Sequence, residues 1–352
     1  MSGMDADSLA DRVFHGDPIE KVDLRGLDLS KVTLAGAVLR EVDLRGGNLA
    51  DADLSESILV GCRLDEADLR GANLHQALVE KSNLTRARLD RARLTGAKFT
   101  ECEATGASFA EADLSIAAFS RCTLDDCVFG GATLERSAFL EGSVAGIDLR
   151  GTALVSVVMV GADLRRAELA DATFERVVLI RANLAGRSLR GLRFTHTQFM
   201  DADLRGCDLR EATLTQCNFK GAMMAGCVLT GAQAPMCLFI EADLSGAMLQ
   251  RATLTQSLWV DAKLERADFT GAGMHQCILH RVDARTATLV DADLTYADFT
   301  GADLSGADLT GATLERANLH GIVDTDAVIP NRKAALRPDP ELLAAQRWEP
   351  TL

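Results

Sequence analysis

Aromatic residues and proline are scarce in this chain of 352 residues. Phe, Trp and Tyr together make up 5% of it, and it contains 6 prolines. Because aromatic side chains contribute much of the core of ordinary globular domains, this composition argues against a typical globular enzyme. Ala, Leu, Asp and Gly dominate instead, and so strong a bias calls for a search for internal repeats.

Basic residues are outnumbered by acidic ones. The chain has 37 Lys and Arg against 51 Asp and Glu, which gives a formal net charge of −14. Phosphates are bound mainly by Lys and Arg, so this balance disfavours direct binding to nucleic acid. It permits binding to a partner with a basic surface.

Long apolar segments are missing as well. No apolar run approaches the roughly 18 residues that a membrane-spanning helix needs. The N-terminal sequence MSGMDADSLADRVFHGD lacks the basic and apolar regions of a signal peptide. We therefore predict a cytoplasmic protein that does not bind membranes.

What the chain does contain is an apolar residue at every fifth position. The series begins at Leu24, Leu29 and Leu34 and runs to Leu319, through 60 units without an insertion or deletion. With the central residue written as i, position i−2 holds a small residue, typically Ala, and position i−1 favours Asp, Asn or Thr. A period of five fits neither an α-helix nor a simple strand. It predicts a chain that turns a corner every five residues.

Glycine marks where those corners fall. Of the 29 glycines in the sequence, 23 occupy position i+2. A type II turn needs a positive φ at its second central residue, which favours glycine. The corner is therefore predicted at i+1 and i+2, with side chains i−2 and i pointing inward.

The motif A-(D/N)-L-x-x, as in Ala292-Asp293-Leu294 and Ala317-Asn318-Leu319, resembles the repeat of the pentapeptide-repeat family. The resemblance covers roughly residues 22–322. It implies an all-β fold: a right-handed quadrilateral parallel β-helix with four units per coil, hence about 15 coils and a length of ~70 Å at the spacing of neighbouring strands.

Both ends of the repeat look like caps. We predict an N-terminal helical cap over residues 1–20, with a short helix at Asp5–His15 closed by Gly16. The β-helix is predicted over 21–322, and a C-terminal cap or tail over 323–352, with a short helix at Pro338–Trp348. In several members of the family a C-terminal helix mediates dimerisation, so both capping and dimerisation remain open for this one.

Residues that could carry chemistry have simpler explanations. All nine cysteines occupy slot i−2, where a thiol acts as a small buried apolar group. The six histidines are scattered, with no zinc-binding spacing, and the glycines are corner residues rather than a phosphate-binding loop. A flat prism face also offers no cleft for a reaction. We therefore predict no catalytic residues, no metal, no cofactor and no enzymatic activity.

The sharpest functional signal is an apolar stripe on one face of the predicted prism. Positions separated by 20 stack along one face, and on the face built around Leu39, Leu59 and Val79 half of the outward slots i−1 and i+1 are large and apolar. Soluble proteins rarely expose so large an apolar patch, so the stripe is predicted to be an interface. Two alternatives are a slip in the four-unit assignment and a terminal segment that folds over the stripe. The predicted interface residues are Ile58, Val60, Leu140, Val158, Val160, Val178, Ile180, Met200, Leu238, Ile240, Leu258, Val260 and Ile278.

These observations predict a non-enzymatic scaffold or adaptor that docks a protein partner, or a second copy of itself, through the apolar face. The start of the chain also resembles pentapeptide proteins associated with bacterial secretion machinery, including type VI systems. The alternative is a DNA mimic that inhibits or protects DNA gyrase or topoisomerase IV, as some members of the family do. The acidity favours this alternative, whereas acids followed by Arg two residues later, as in Asp203/Arg205, weaken the potential that a phosphate mimic needs.

Overall fold

The chain folds as a parallel β-solenoid in which each residue pairs with the one 20 positions further along. Ile58 lies beside Val38 and Leu78, for example, and the same step of 20 separates the isolated bridges. The computed structural model describes residues 4–336 and 340–341. The chain divides into two units, Met1–Ala182 and Asn183–Leu352. The step of 20 means four five-residue sides per coil, so the alternative of a slip in this assignment is excluded.

The first unit begins with helix α1 (Ala6–Phe14), which Asp5 caps by accepting a hydrogen bond from the backbone N–H of Ser8. Leu9 on this helix is fully buried. Seven strands then pair in parallel in chain order, and the last two strands of the unit pair with each other on the preceding face. The strands are β1 (Ile19–Glu20), β2 (Val38–Arg40), β3 (Ile58–Val60), β4 (Leu78–Glu80), β5 (Lys98–Thr100), β6 (Ala118–Ser120), β7 (Ala138–Leu140), β8 (Ala153–Val155) and β9 (Thr173–Glu175).

The second unit contains strand β10 (Arg193–Thr195) and a short 3₁₀ helix at Arg332–Ala334. Its coils are otherwise joined by isolated parallel bridges, from Asn183 and Asp203 at one end to Asp308 and Val328 at the other. The bridges thus continue past residue 322, where the repeat was predicted to end. Of the C-terminal helix predicted at Pro338–Trp348, only residues 340–341 are described, and both are helical.

The predicted fold class is confirmed, but the coil count differs from the predicted 15, since regular strands mark only about 9 coils. The reason is the short side of the prism. Only residues i−1 to i+1 are extended before the next corner, so a ladder has room for three residues at most. On many coils the ladder is reduced to a single bridge.

The corners have the predicted backbone conformation. Every glycine predicted at position i+2 has a positive φ, as Gly26 does at 61°. Many other corners place a charged or polar residue in the same conformation, for example Glu241 at 58° and Arg281 at 54°. This conformation costs an L-residue ~1–2 kcal/mol. The hydrogen bonds of neighbouring coils hold it there: Glu241 donates its N–H to the Val260 carbonyl at 2.9 Å.

Aspartate at position i−1 stabilises the corner that follows it. Asp203 accepts the backbone N–H of Arg205 at 3.1 Å, and its two carboxylate oxygens accept Nε and Nη2 of the Arg205 guanidinium at 2.9 and 2.6 Å. The same bidentate pairing joins Asp148 to Arg150. Where position i+1 is Ser or Thr, its hydroxyl donates to the aspartate instead, as Thr270 does to Asp268 at 2.6 Å. The preference for Asp in this slot is therefore a local turn requirement.

These paired carboxylates should make the protein sensitive to acid. The guanidinium of Arg25 lowers the pKa of Asp23 to about 2, and Arg45 and Arg150 likewise lower the pKa of Asp43 and Asp148. A carboxyl whose pKa is depressed in the folded state contributes stability above its unfolded pKa of ~3.9 and loses it as the pH falls through the folded value. We expect the thermal unfolding midpoint to be level from pH 7 to 5 and to fall steeply between about pH 4 and 2. A midpoint that is unchanged at pH 2 would contradict this account.

The inward slots form a core of stacked columns. In the first unit the rings of Phe99, Phe119 and Phe139 stack with centroids 4.8 and 5.3 Å apart. In the second unit a column of Phe rings ends on Trp259, whose centroid lies 4.0 Å from that of Phe239. All nine cysteines are buried free thiols, and burial raises the pKa of Cys127 and Cys277 to about 12. Such thiols stay protonated, so their role is packing.

Candidate protein interface

The apolar face is the one whose central residues are Leu39 and its successors at steps of 20 along the chain. Its side chains alternate as the repeat requires: in strand β3, Leu59 points into the core while Ile58 and Val60 point outward. The outward residues are exposed or half-buried at every predicted interface position. Within each unit they therefore stand on a surface formed by short parallel strands and bridges.

The first unit carries two separate apolar patches on this face. The first, which we call the N-terminal patch, contains Val38, Ile58 and Leu78, which are neighbours in register, and Val60. The next coils interrupt it with Lys98 and small or polar residues. The middle patch then begins at Leu140, and Val158 and Val178 form a bridge within it. The middle patch consists of Leu140, Val158, Val160, Val178 and Ile180.

The second unit carries one patch, which we call the C-terminal patch. Leu238, Leu258 and Ile278 form consecutive parallel bridges on three coils. Ile240 and Val260 stand beside them at position i+1. Met200, which was predicted to belong to the same stripe, is separated from this patch by the coil that carries Asn218 and Lys220.

Charged residues line the corner that follows the C-terminal patch. Arg281 makes a bidentate ion pair with Asp261, with both N–O distances at 2.7 Å. The hydrogen bonds from this guanidinium lower the pKa of the Asp261 carboxyl and raise that of Arg281. Glu241 lies 3.5 Å from the ammonium group of Lys220. The patch is thus apolar in its centre and has both signs of charge along one edge, as protein interfaces often do.

The opposite edge of the C-terminal patch is uncharged. The corner there carries Gln216, Met236, Gln256 and Gln276, and the side chains of the last two form a hydrogen bond of 3.0 Å. Met236 is exposed. The sequence reasoning considered only slots i−1 and i+1 and therefore overlooked both edges. Sorting position i+2 by steps of 20 would have revealed them.

On the other faces, the acids that precede an arginine by two residues are neutralised by it. The predicted Asp/Arg pairs are present as ion pairs, with distances of 2.6 Å at Asp163/Arg165, Asp203/Arg205 and Asp208/Arg210 among others. Among residues 4–336 and 340–341, no group of three or more His, Cys, Asp or Glu side chains is placed to hold a metal ion. In the same part of the chain, no helix has the length and hydropathy to cross a bilayer.

A five-residue repeat with four repeats per coil defines a class of protein, the pentapeptide-repeat β-helices. Models of that family match most of the chain: a pentapeptide repeat region matches residues 52–129, and the pentapeptide repeats (8 copies) match 20–55 and 287–323 as well as overlapping segments from 145 to 283. The chain therefore belongs to the pentapeptide repeat family. No curated protein matches it.

Several solved structures are similar to the chain. HetL, a pentapeptide repeat protein involved in heterocyst differentiation regulation from the cyanobacterium Nostoc sp. strain PCC 7120, is 23% identical, with 92% of this chain and 98% of HetL covered and a TM-score of 0.20. A trypsin-treated variant of QnrB1, a plasmid-mediated fluoroquinolone resistance protein, is 21% identical over 54% of this chain and 89% of its own, with a TM-score of 0.32. A pentapeptide repeat protein of the Arabidopsis thaliana thylakoid lumen is 24% identical over 42% and 72%, with a TM-score of 0.17.

Proposed function

We propose that this chain is a non-enzymatic scaffold or adaptor that docks a protein partner through the apolar patches of its β-helix. The observation that carries the proposal is the C-terminal patch, where Leu238, Leu258 and Ile278 stand outward on three successive coils. Outward slots on the other faces are mostly polar or charged, so packing does not require large apolar residues here. Each Å² of apolar surface removed from water contributes about 25 cal/mol of favourable free energy. A partner that covers the patch would therefore bind with this contribution.

A second candidate is the DNA-mimic hypothesis, in which the chain binds DNA gyrase or topoisomerase IV. The net charge of −14 favours it. Such a mimic needs carboxylates at positions that phosphates would occupy, free of neutralising partners. Asp148, Asp203 and Asp208 are each neutralised by an arginine 2.6 Å away, and the C-terminal patch fits a drier interface. We therefore place this function second, and the predicted link to bacterial secretion rests on the N-terminal sequence alone.

The experiment is an affinity capture with three baits: the wild type, a patch variant and a control variant. The patch variant carries Val158→Glu, Val178→Glu and Leu258→Glu, all at outward i−1 slots. A glutamate in the centre of a contact must be desolvated without a partner, which costs several kcal/mol. We expect partners recovered with the wild type to be reduced at least ~10-fold with the patch variant, as measured by quantitative mass spectrometry.

The control variant carries Val128→Glu, Val228→Glu and Met248→Glu. These are i−1 slots on the face opposite the patches, so the charge added and the number of changes are matched. The control should recover the same partners as the wild type. Equal recovery with all three baits would rule out the apolar patches as the docking surface. If gyrase or topoisomerase IV subunits are then among the proteins recovered, the DNA-mimic hypothesis replaces the proposal.

A further inference from the structure

We infer that the C-terminal patch pairs with the same patch of a second copy of this chain, about a two-fold axis through the coil of Leu258 and Val260. The inference rests on the proposed function and deepens it by naming the partner. In the pairing the two β-helices would run antiparallel, with apolar face against apolar face. Each coil before the axis would then meet the coil that lies equally far behind it in the second copy.

Four of the five residues of the patch are arranged symmetrically about this axis, and the fifth, Ile240, would face His280 of the second copy. Leu258 would face Leu258 of the second copy, and Val260 would face Val260. Leu238 would face Ile278, because these residues lie one coil before and one coil after Leu258. A two-fold interface uses one surface twice and must therefore be complementary to itself. The i−1 slots satisfy that condition, because all three coils carry a large apolar side chain there: Leu238, Leu258 and Ile278.

The charges at the edge are complementary in the same arrangement. Glu241 and Arg281 occupy the corner one coil before and one coil after Asp261. The two-fold axis would bring Glu241 of each copy opposite Arg281 of the other, giving two intermolecular ion pairs. Asp261 would lie near the axis, where Arg281 of its own chain already neutralises it through two bonds of 2.7 Å. Steering and specificity of association come largely from such complementary charges.

Other pairings of the same face are worse. Moving the axis half a coil toward the N-terminus would place Glu241 opposite Asp261, which sets like charges against each other. Moving it the other way would bury Leu238 against Asp298. A parallel pairing would set the charged corner of one copy against the corner of the other that carries Met236. Of these pairings, the one with the axis at Leu258 places Leu238, Leu258 and Ile278 against apolar residues and also brings opposite charges together at the edge.

The size of the surface sets the strength of the contact. The three coils of the patch and one more on either side, at ~4.8 Å each and with an extended side of ~10 Å, give only a few hundred Å² per copy. Stable interfaces bury ~800 Å² per partner, and smaller ones are usually transient. We therefore expect a reversible dimer with a dissociation constant of ~10 µM.

Charge-swap variants test the pairing by sedimentation velocity at low ionic strength. Glu241→Arg places Arg opposite Arg281 of the second copy, and Arg281→Glu places Glu opposite Glu241. Other corners of the second unit hold Arg and Glu at the same positive φ, as Arg251 and Glu211 do, so both variants should fold. We expect each alone to raise the dimer dissociation constant by ~10-fold or more. An equimolar mixture of the two should dimerise as the wild type does, because both new pairs are then complementary.

Leu258→Glu, at the axis, should be monomeric, whereas Val228→Glu on the opposite face should dimerise normally; circular dichroism confirms folding of each. A wild type that is monomeric at ~100 µM, well above the expected constant, overturns the inference. So does a mixture that associates no better than its components. In either case the proposed function still stands if the patch variant loses captured partners, since the partner is then a different protein.

Discussion

Replacing Trp259 by alanine is expected to destabilise the second unit by ~3–5 kcal/mol, the usual cost of removing a large buried aromatic side chain. Trp259 has no exposed surface. Its ring stacks on Phe239 with centroids 4.0 Å apart and meets Phe269 edge-on at 5.8 Å. The columns above and below are continuous, so the coil has little freedom to collapse into the space left behind. Urea unfolding followed by circular dichroism measures the loss.

The matched control is Leu258→Ala, one residue away on the outward side. Leu258 is only half-buried in the isolated chain, so we expect this change to cost less than ~1 kcal/mol. If both variants lost the same free energy of unfolding, the assignment of Trp259 to the core and of Leu258 to the surface would be wrong. A large loss at Trp259 and a small one at Leu258 would show that the patch contributes little to folding, so that its residues are free to serve binding.

The second large effect is expected at Gly142, where alanine should cost ~3 kcal/mol. This residue occupies slot i−2, which elsewhere usually holds Ala. A Cβ at Gly142 would overlap the carbonyl oxygen of Cys122 and lie 3.0 Å from its nitrogen. Because those atoms are backbone, the coil itself has to move. Thermal unfolding of Gly142→Ala checks the prediction.

Gly47 provides the comparison, since it is also a glycine in slot i−2. Its added Cβ would meet the Leu44 carbonyl oxygen at 3.0 Å, a tight contact that a shift of a few tenths of an ångström relieves. We expect Gly47→Ala to cost ~1 kcal/mol or less, because the loss of freedom in the unfolded chain offsets part of the contact. A variant at Gly142 that is as stable as one at Gly47 would refute the steric account.

Much of the fold could be predicted because one repeat determines it. The spacing of Leu24, Leu29 and Leu34 fixes which side chains point inward, and the glycines at i+2 fix the corners. The repeat does not show which coils pair through three-residue strands and which pair through a single bridge. On one face the three-residue strands end at Leu140, close to Gly142, and pairing continues through the single bridge of Ala138 and Val158. The next strand lies on the preceding face at Ala153–Val155. That change depends on contacts between coils, which a five-residue pattern does not encode.

The candidate site was predictable in its centre and not at its edges. Leu238, Leu258 and Ile278 were placed outward by counting in steps of 20. The separation of Met200 from the C-terminal patch follows from Asn218 and Lys220, which the same counting in steps of 20 places on the coil between them. The edge residues Glu241 and Arg281 occupy corner slots, where most members of the repeat are glycine or charged. Their complementarity becomes visible only when the face is paired with the same face of a second copy.

The four-sided coil has a consequence for how such a chain can change length over evolutionary time. In the second unit, duplicating or losing four consecutive repeats would insert or remove one whole coil and leave each later residue on its own face. Duplicating a single repeat would preserve the five-residue pattern equally well, yet it would rotate everything after it by a quarter turn and carry Leu258 and Ile278 off the apolar face. A single-repeat duplication would thus be removed by selection on binding, since the chain could still fold. Lineages that depend on a patch should therefore differ in length by whole coils.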